Sequence, residues 1–312
     1  MNKSVIIIFS GEPQRLDAFL ARTIPDLSRG VLKTLILNGK VTVNGILRKP
    51  AWPLSPGEKI RVDWPAAPGG ADPLKPLIVY EDADILAVSK PPGLMIHPLS
   101  PAWEKAREAA FAGEPTLASM LLASRPEIVL SVLPRAGIVH RLDRGTSGIM
   151  LIAKTVRALR DLIGQFRERK VRKTYIGAVC GEVSEDEGLI EAPLGRATGS
   201  KRMRVSRYGR ESFTGFRVLK RKPGYTLLEL SPKTGRTNQL RVHLSWIGHP
   251  VVGDSLYGKA KTGRLMLHSL RVAFRHPSTG KKTACEVPLP GEFRKEWKKL
   301  SGMDIKQGGN NA

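Results

Sequence analysis

Two periodicities take turns along this chain. An apolar run, Val5 to Phe9, precedes Leu16, Phe19 and Leu20 at helical spacing; after a turn at Pro25 the spacing recurs in Leu32, Leu35 and Ile36. Ser28 stands where a cap would open the second helix, and Asn38-Gly39 where it would stop. Val41 and Val43 then alternate with polar neighbours. Asn44-Gly45 is the dipeptide a two-residue hairpin favours, and Ile60, Val62 and Trp64 alternate again. Two short helices on a small sheet are predicted for residues 12–66, behind a strand or ordered arm at 1–10. Pro65 to Pro76 is rich in Pro, Gly and Ala without periodicity, so residues 67–76 read as a linker between two domains.

Beyond it, Leu77 to Tyr80 and Ile85 to Val88 read as strands about an acidic turn. Lys90-Pro91-Pro92-Gly93 is a turn, and Leu94 to His97 resumes an extended run. Residues 100–126 read as helical, with Leu117, Met120 and Leu121 on one face. Ile149 to Ala153 is a short buried strand. Leu159, Leu162, Ile163 and Phe166 make an i, i+3, i+4, i+7 stripe, so 156–168 is an amphipathic helix whose other face carries Arg157, Arg160, Arg167 and Arg169. A strand ends at Cys180, and Tyr225 to Ser231 and Leu265 to Phe274 are two more. Leu240, Leu244 and Ile247 line a helix opened by the loop 233–237. Gly195 to Arg210, with Lys201, Arg202, Arg204 and Arg207, reads as a mobile loop too polar to pack. Residues 301–312 read as a disordered tail. These patterns support mixed α and β without choosing a topology.

Charge narrows the partner. The chain holds 51 Lys+Arg against 28 Asp+Glu, a net +23 spread along its whole length. Such an excess favours a polyanion, nucleic acid above all. A membrane surface would also need an amphipathic basic helix or a lipidation motif, and neither is found. No apolar run approaches a membrane span or a signal peptide's core. Cys180 and Cys285 offer no disulfide framework or CxxC motif, which fits a reducing compartment and a soluble cytoplasmic protein.

The chemistry concentrates in Gly137 to Thr155, where the polar loop Arg141-Leu142-Asp143-Arg144-Gly145-Thr146-Ser147-Gly148 lies between two apolar runs. A carboxylate with cationic neighbours stays ionised, so Asp143 reads as a ready nucleophile; a structural ion pair at a strand end is the competing reading. Gly253 to Ala260 mimics a phosphate-binding loop, but Ala260 stands where a magnesium-holding Ser or Thr is needed. The six histidines lack metal spacing, and His140 and His243 read as oriented structural groups.

Two resemblances sharpen this. RLDAFL, SRGVLKTLILNGKVTVNG and PLSPGEKIRV in the first domain resemble the RNA-binding domain named after ribosomal protein S-four, which implies RNA contacts for Arg15, Arg29, Lys33 and Lys40. YEDADILAVSKPPGLMIHP (80–98), GIVHRLDRGTSGIMLIAKT (137–155), RKTYIGAVCGEV (172–183) and KTGRTNQLRVHLSWIGHPVVGDSLYG (233–258) resemble the RluA-type family of RNA pseudouridine synthases across residues 77–300. The family implies an α+β fold with a long, mostly antiparallel mixed sheet, flanking helices and a basic cleft across its middle. It implies isomerisation of a flipped uridine, with the base detached, turned and rejoined through carbon, and with neither cofactor nor metal. Asp143 takes the place of the catalytic aspartate, as nucleophile or as base for glycal formation. Arg241 takes that of its partner, and Tyr175 that of the tyrosine that stacks on the base and is a candidate for the late proton removal. Arg141 takes that of the arginine filling the vacated helix, and Arg144 and Arg236 are expected at the substrate. Asn238 departs from the family, where histidine is common. Large-subunit ribosomal RNA is the expected substrate of an expected monomer. A transfer-RNA-directed enzyme and a non-catalytic RNA-binding assembly factor are the alternatives.

Overall fold

The computed structural model describes residues 4–23, 29–37, 39–63, 72–98, 101–104, 110, 114–125, 128, 133–196, 199, 202–258 and 263–305. Ser28, Asn38 and the stretch 64–71, with Trp64, lie outside these. The N-terminal unit comprises β1 (Ser4–Ile8), β2 (Gln14–Arg15), α1 (Leu16–Thr23), α2 (Arg29–Leu37), β3 (Val41–Val43), β4 (Ile46–Leu47), β5 (Pro53–Leu54) and β6 (Lys59–Asp63). Four strands form an antiparallel sheet in the order β1-β6-β3-β4. The helices close over one face around Leu16, Leu20, Leu32, Val41 and Ile60, a core of the unit's own. Asn44 and Gly45 both hold positive φ, 52° and 79°, as the two-residue hairpin between β3 and β4 requires. The unit starts earlier than residue 12: β1 pairs along β6, and buried Phe9 meets Phe19 edge-on at 4.9 Å between ring centres.

Its neighbour is larger. In chain order it has β7 (Ile78–Glu81), β8 (Ile85–Lys90), α3 (Leu117–Ser124), β9 (Ser147–Ala153), α4 (Val156–Arg167), β10 (Arg172–Cys180), β11 (Glu187–Glu191), β12 (Leu194–Arg196) and β13 (Met203–Val205). Next come β14 (Phe213–Lys222), β15 (Tyr225–Pro232), α5 (Gln239–Trp246), β16 (Leu267–Arg275), β17 (Lys282–Glu286) and α6 (Gly291–Ser301). Nine strands make one sheet in the order β11-β14-β15-β10-β16-β9-β8-β7, with β17 also on β16. All pairings are antiparallel except β9 with β16, which meet parallel at Ser147/His268 and Gly148/Ser269. That junction forces the residue choice at 148. A Cβ on Gly148 would lie 2.1 Å from the Ser269 carbonyl oxygen, and its φ of +119° suits glycine alone. β9 is buried along all seven residues, the floor of the molecule.

The structure departs from four sequence expectations. Residues 72–76 do not behave as linker: Leu74 is fully buried in the larger core, and Asp72 pairs with Arg125 at 2.8 Å. The helix expected over 100–126 is, among described residues, a 3-10 turn at Pro101–Glu104 and then α3. It begins after Pro115 because Thr116 and Ser119 cap it reciprocally, each accepting the other's backbone N–H. Of the basic stretch 195–210, the described residues form a packed arm, in which β12 and β13 pair and Leu194, Val242 and Tyr257 form a small cluster with Met203 and Val205; Lys201 lies outside the described residues. The part of the tail that is described, 301–305, is packed: Ile305 lies against the core, while Asp304 receives Lys298 and, at its carbonyl, Lys220; the rest of the expected tail lies outside the described residues. No helix among the described residues is long and apolar enough to cross a membrane.

Candidate active site

The loop bearing Asp143 leaves the sheet at the start of β9 and is tied down from three sides. Leu142 is buried in the core, and the Thr146 N–H closes a turn on the Asp143 carbonyl at 3.1 Å. Ser147 donates to His268 Nδ1 at 2.9 Å and accepts from Arg264 Nη2 at 2.6 Å. The third tie is Lys90, which no sequence signal flagged beyond its place before two prolines. It is wholly buried, and its ammonium donates to the carbonyls of Pro91, Leu94 and Arg144 at 3.0, 2.8 and 3.0 Å. One cation thus binds the 91–94 turn to the Asp143 loop, an attachment that the Gly93 N–H repeats on the Arg144 carbonyl at 2.8 Å. Burial pushes Lys90 down to about 8, with Asp143 pulling the other way.

Asp143 lines a cleft of about 600 Å³ together with Arg141, Tyr175, Arg236, Asn238, Lys173, His140, Arg167 and Arg169, a volume in the range of small-molecule sites. Its side chain keeps 20% of its surface exposed, so the ring of a substrate can reach it. Arg241 Nη1 meets Asp143 Oδ2 at 3.3 Å. The tighter partner of Arg241 is Asp254, fully buried, which takes Nε and Nη2 at 2.7 Å each in a two-pronged pair. Burial opposes the charge on Asp254, yet the guanidinium and the N–H groups of Tyr257 and Leu256 hold its carboxyl below the usual range. Arg241 is therefore fixed before it meets Asp143, and it stays positive. Asp254 and Tyr257 come from the stretch that mimics a phosphate loop in sequence; here it buttresses the cleft's arginine. Gly253, Asp254 and Tyr257 could not be told from that decoy without knowing what faced them.

Tyr175 lies in mid-strand on β10, opposite Leu230 and Ser269, at a register shift between β10 and β16. It is 7% exposed and lines the cleft, and burial pushes its phenol up to about 12. At neutral pH it carries its proton. Lys173, two residues earlier, is lowered to about 8 by burial and donates to the Thr234 carbonyl at 3.2 Å. His140 forms part of the wall: its Nε2 accepts from the Leu151 N–H at 2.8 Å, its ring stacks on Phe166, and desolvation holds it at about 3, so it is neutral. His243 is sealed between Thr214 and the Ala192 carbonyl. On α4, Ile163 is 47% exposed and, with Phe166, faces the cleft, so the predicted apolar stripe is only half core.

The structure thus brings Asp143, Tyr175, Arg241, Arg141 and Arg236 to one cleft, Arg241 by its pairing with Asp143. Arg144 is not among the lining residues. It donates to the Gly93 carbonyl and pairs with Glu114 at 3.0 Å, a contact between its loop and the 91–94 turn. In the N-terminal unit Lys33 is exposed and Lys40 half-buried. Arg15 spends two guanidinium nitrogens on Asp17 at 3.0 and 3.1 Å. The side chain of Arg29 lies outside the described residues.

Comparison with known proteins places this geometry. A family model described as RNA pseudouridylate synthase matches residues 84–246, and the S4 domain model matches residues 14–60. An uncharacterized RNA pseudouridine synthase of Aquifex aeolicus is 40% identical over 305 residues, 91% of this chain and 93% of that one. Ribosomal large subunit pseudouridine synthase D of Neisseria meningitidis serogroup A is 38% identical over 299 residues, 89% of this chain and 76% of the relative. The solved human RNA pseudouridylate synthase domain containing 1 superposes with a TM-score of 0.55 at 26% identity, covering 74% of this chain and 90% of that one. Matched over most of its length by relatives well above 30% identity, with both domain models in order, the chain belongs to the RNA pseudouridine synthase family and carries an S4 domain at its N-terminus.

Proposed function

We propose that this enzyme converts uridine to pseudouridine in large-subunit ribosomal RNA, with Asp143 as the group that starts detachment of the base. The observation that carries the reading is a partly exposed carboxylate on the floor of a basic cleft, aimed by an arginine that a second, buried carboxylate holds rigid. A uridine in a stem reaches such a floor only by leaving the stack, at a cost of a few kcal/mol. Arg141, exposed at the rim, is suited to the gap it leaves, and Arg236 to the neighbouring phosphate. The base lies on the Tyr175 ring, cleavage at C1′–N1 frees it to turn, and C1′–C5 forms in its place. The C5 proton then leaves and N1 gains one, so atoms and charge balance. Tyr175 carries its own proton at rest, so it serves the last proton step only while handing that proton on.

Ribosomal RNA as substrate rests on the S4 domain and on the names of the synthase D relatives. We place the enzyme in the cytoplasm, acting as a monomer, since Asp143, Arg241 and Tyr175 all come from one chain. Asp143→Ala is expected to abolish tritium release from ribosomal RNA labelled at uracil C5; near-normal release would overturn the assignment. Loss of a single pseudouridine in large-subunit RNA on deleting the gene supports the substrate, and loss confined to transfer RNA would replace it.

A further inference from the structure

Asn238 opens α5 with φ of 53°, a left-handed conformation that asparagine tolerates better than most residues. Its amide lies between two groups of opposite need. On one side are both oxygens of Asp143, each 3.0 Å from the nearer amide atom; on the other is the hydroxyl of Tyr257, 3.1 Å from the farther one. Tyr257 O already accepts from the backbone N–H of Met203 on β13 at 3.1 Å, which leaves its own proton to give. The consistent arrangement runs one way. Met203 N–H donates to Tyr257, Tyr257 O–H donates to Asn238 Oδ1, and Asn238 Nδ2 donates to both oxygens of Asp143. Reversing the amide would gain one contact from Arg241 at 3.3 Å but set oxygen against both carboxylate oxygens, acceptor to acceptor.

The far end of this chain of bonds is the basic arm. β13 belongs to it, Met203 and Val205 pack on the cluster of Leu194, Val242 and Tyr257, and the Tyr257 ring meets the guanidinium of Arg202 on the arm at 4.9 Å and that of Arg241, the partner of Asp143, at 5.2 Å. We propose that Asn238 and Tyr257 are positioning residues, a hydrogen-bonded link through which the arm holds the Asp143 carboxylate in its reactive orientation. The proposal rests on Asp143 being the catalytic group. It gives a defined role to Asn238: a side chain that does not titrate donates to both oxygens of one carboxylate.

The charged and titratable groups facing Asp143 are Arg241 from α5, Lys90 from the end of β8 and the Tyr175 phenol on β10. All three keep their protons below neutral pH, so a change in the acidic limb of the pH–rate profile reports on the carboxylate and position 238. Three variants of the full chain test the link on labelled ribosomal RNA. Asn238→Gly keeps the backbone conformation and removes the amide; kcat is expected to fall about 10- to 100-fold with KM for RNA within about twofold. Asn238→Asp keeps the shape but sets a second carboxylate against Asp143, so the acidic limb of kcat moves to higher pH. Tyr257→Phe keeps the ring under both arginines and loses only the hydroxyl; kcat drops, and combining it with Asn238→Gly costs nothing further. Wild-type kcat in Asn238→Gly, an unmoved acidic limb in Asn238→Asp, or independent additive losses in the double variant would each overturn the link, provided thermal unfolding shows the variants folded. Turnover by Asp143→Ala would instead strike at the catalytic assignment on which it rests.

Discussion

At the scale of residues, the site is a set of charges whose partners decide their use. Asp143 was legible because two arginines and two glycines surround it in sequence, and Tyr175 and Arg241 because their segments carry family resemblance. Asp254 was not, since its meaning comes from facing Arg241 thirteen positions away across a turn. Asp254→Asn leaves Arg241 buried with only Asp143 to answer it. Breaking a buried pair from one side costs about 3–5 kcal/mol, so a fall of several degrees in melting temperature is expected in a thermal scan, with kcat down more than KM is raised. An unchanged melt would mean that the pair is not holding Arg241. Tyr175 makes a pH prediction. A phenol near 12 is almost wholly protonated in the neutral range, and its phenolate fraction grows tenfold per pH unit below that value. If the last proton step is slow and passes through this hydroxyl, kcat climbs with pH from about 6 to 9. Tyr175→Phe should be slow and flat over the same range while still binding RNA; an equal climb in the variant would remove the hydroxyl from that step.

At the scale of elements, the strands and helices that bury one face followed from their spacing: β3, β9 and α4 stand within a residue or two of where periodicity put them. Periodicity gave no reading for β11, β14, β17 or α6, and among what it misread is an element whose apolar partners lie far away in sequence. The arm reads as a polar loop because its apolar anchors among the described residues, Leu194, Met203 and Val205, are few, and their cluster is completed by Val242 and Tyr257. Lys90 is the sharper case, a charged residue at the end of a strand that reads as surface and is wholly buried. Its ammonium satisfies three carbonyls from two loops, so its removal takes the donor from those of Pro91 and Leu94 and leaves that of Arg144 with the Gly93 N–H alone. Lys90→Met, similar in length and without donors, is expected to cost about 3 kcal/mol or more of stability in chemical denaturation. At temperatures where the variant remains folded it should also lose activity, because the 91–94 turn no longer secures the Asp143 loop. Stability within about 0.5 kcal/mol of the parent would show that water replaces the ammonium at no cost.

At the scale of the molecule, a net charge of +23 sits on two units with separate hydrophobic cores, and the two share the work differently. Among the described residues the larger unit holds the groups that meet Asp143, so on the proposed reading the chemistry belongs to it. The smaller offers Lys33 on the open face of α2, in a matched S4 domain. Contacts of that kind fix where an RNA lies without reading the base to be changed. Removing residues 1–66 should therefore leave tritium release from a minimal stem-loop within about threefold of the full chain, since the core around β9 keeps all its partners. Affinity for long ribosomal RNA should fall by about one to two orders of magnitude, as the removal of a few cations from the phosphate backbone would produce, and the slope of log affinity against log salt should shrink by about 0.7–0.9 for each phosphate no longer neutralised. The two measurements separate anchoring from catalysis. If the truncated enzyme bound long RNA as tightly and with the same salt slope, the cleft of the larger unit and its basic arm would be selecting the substrate unaided, and the N-terminal unit would serve some purpose other than holding RNA.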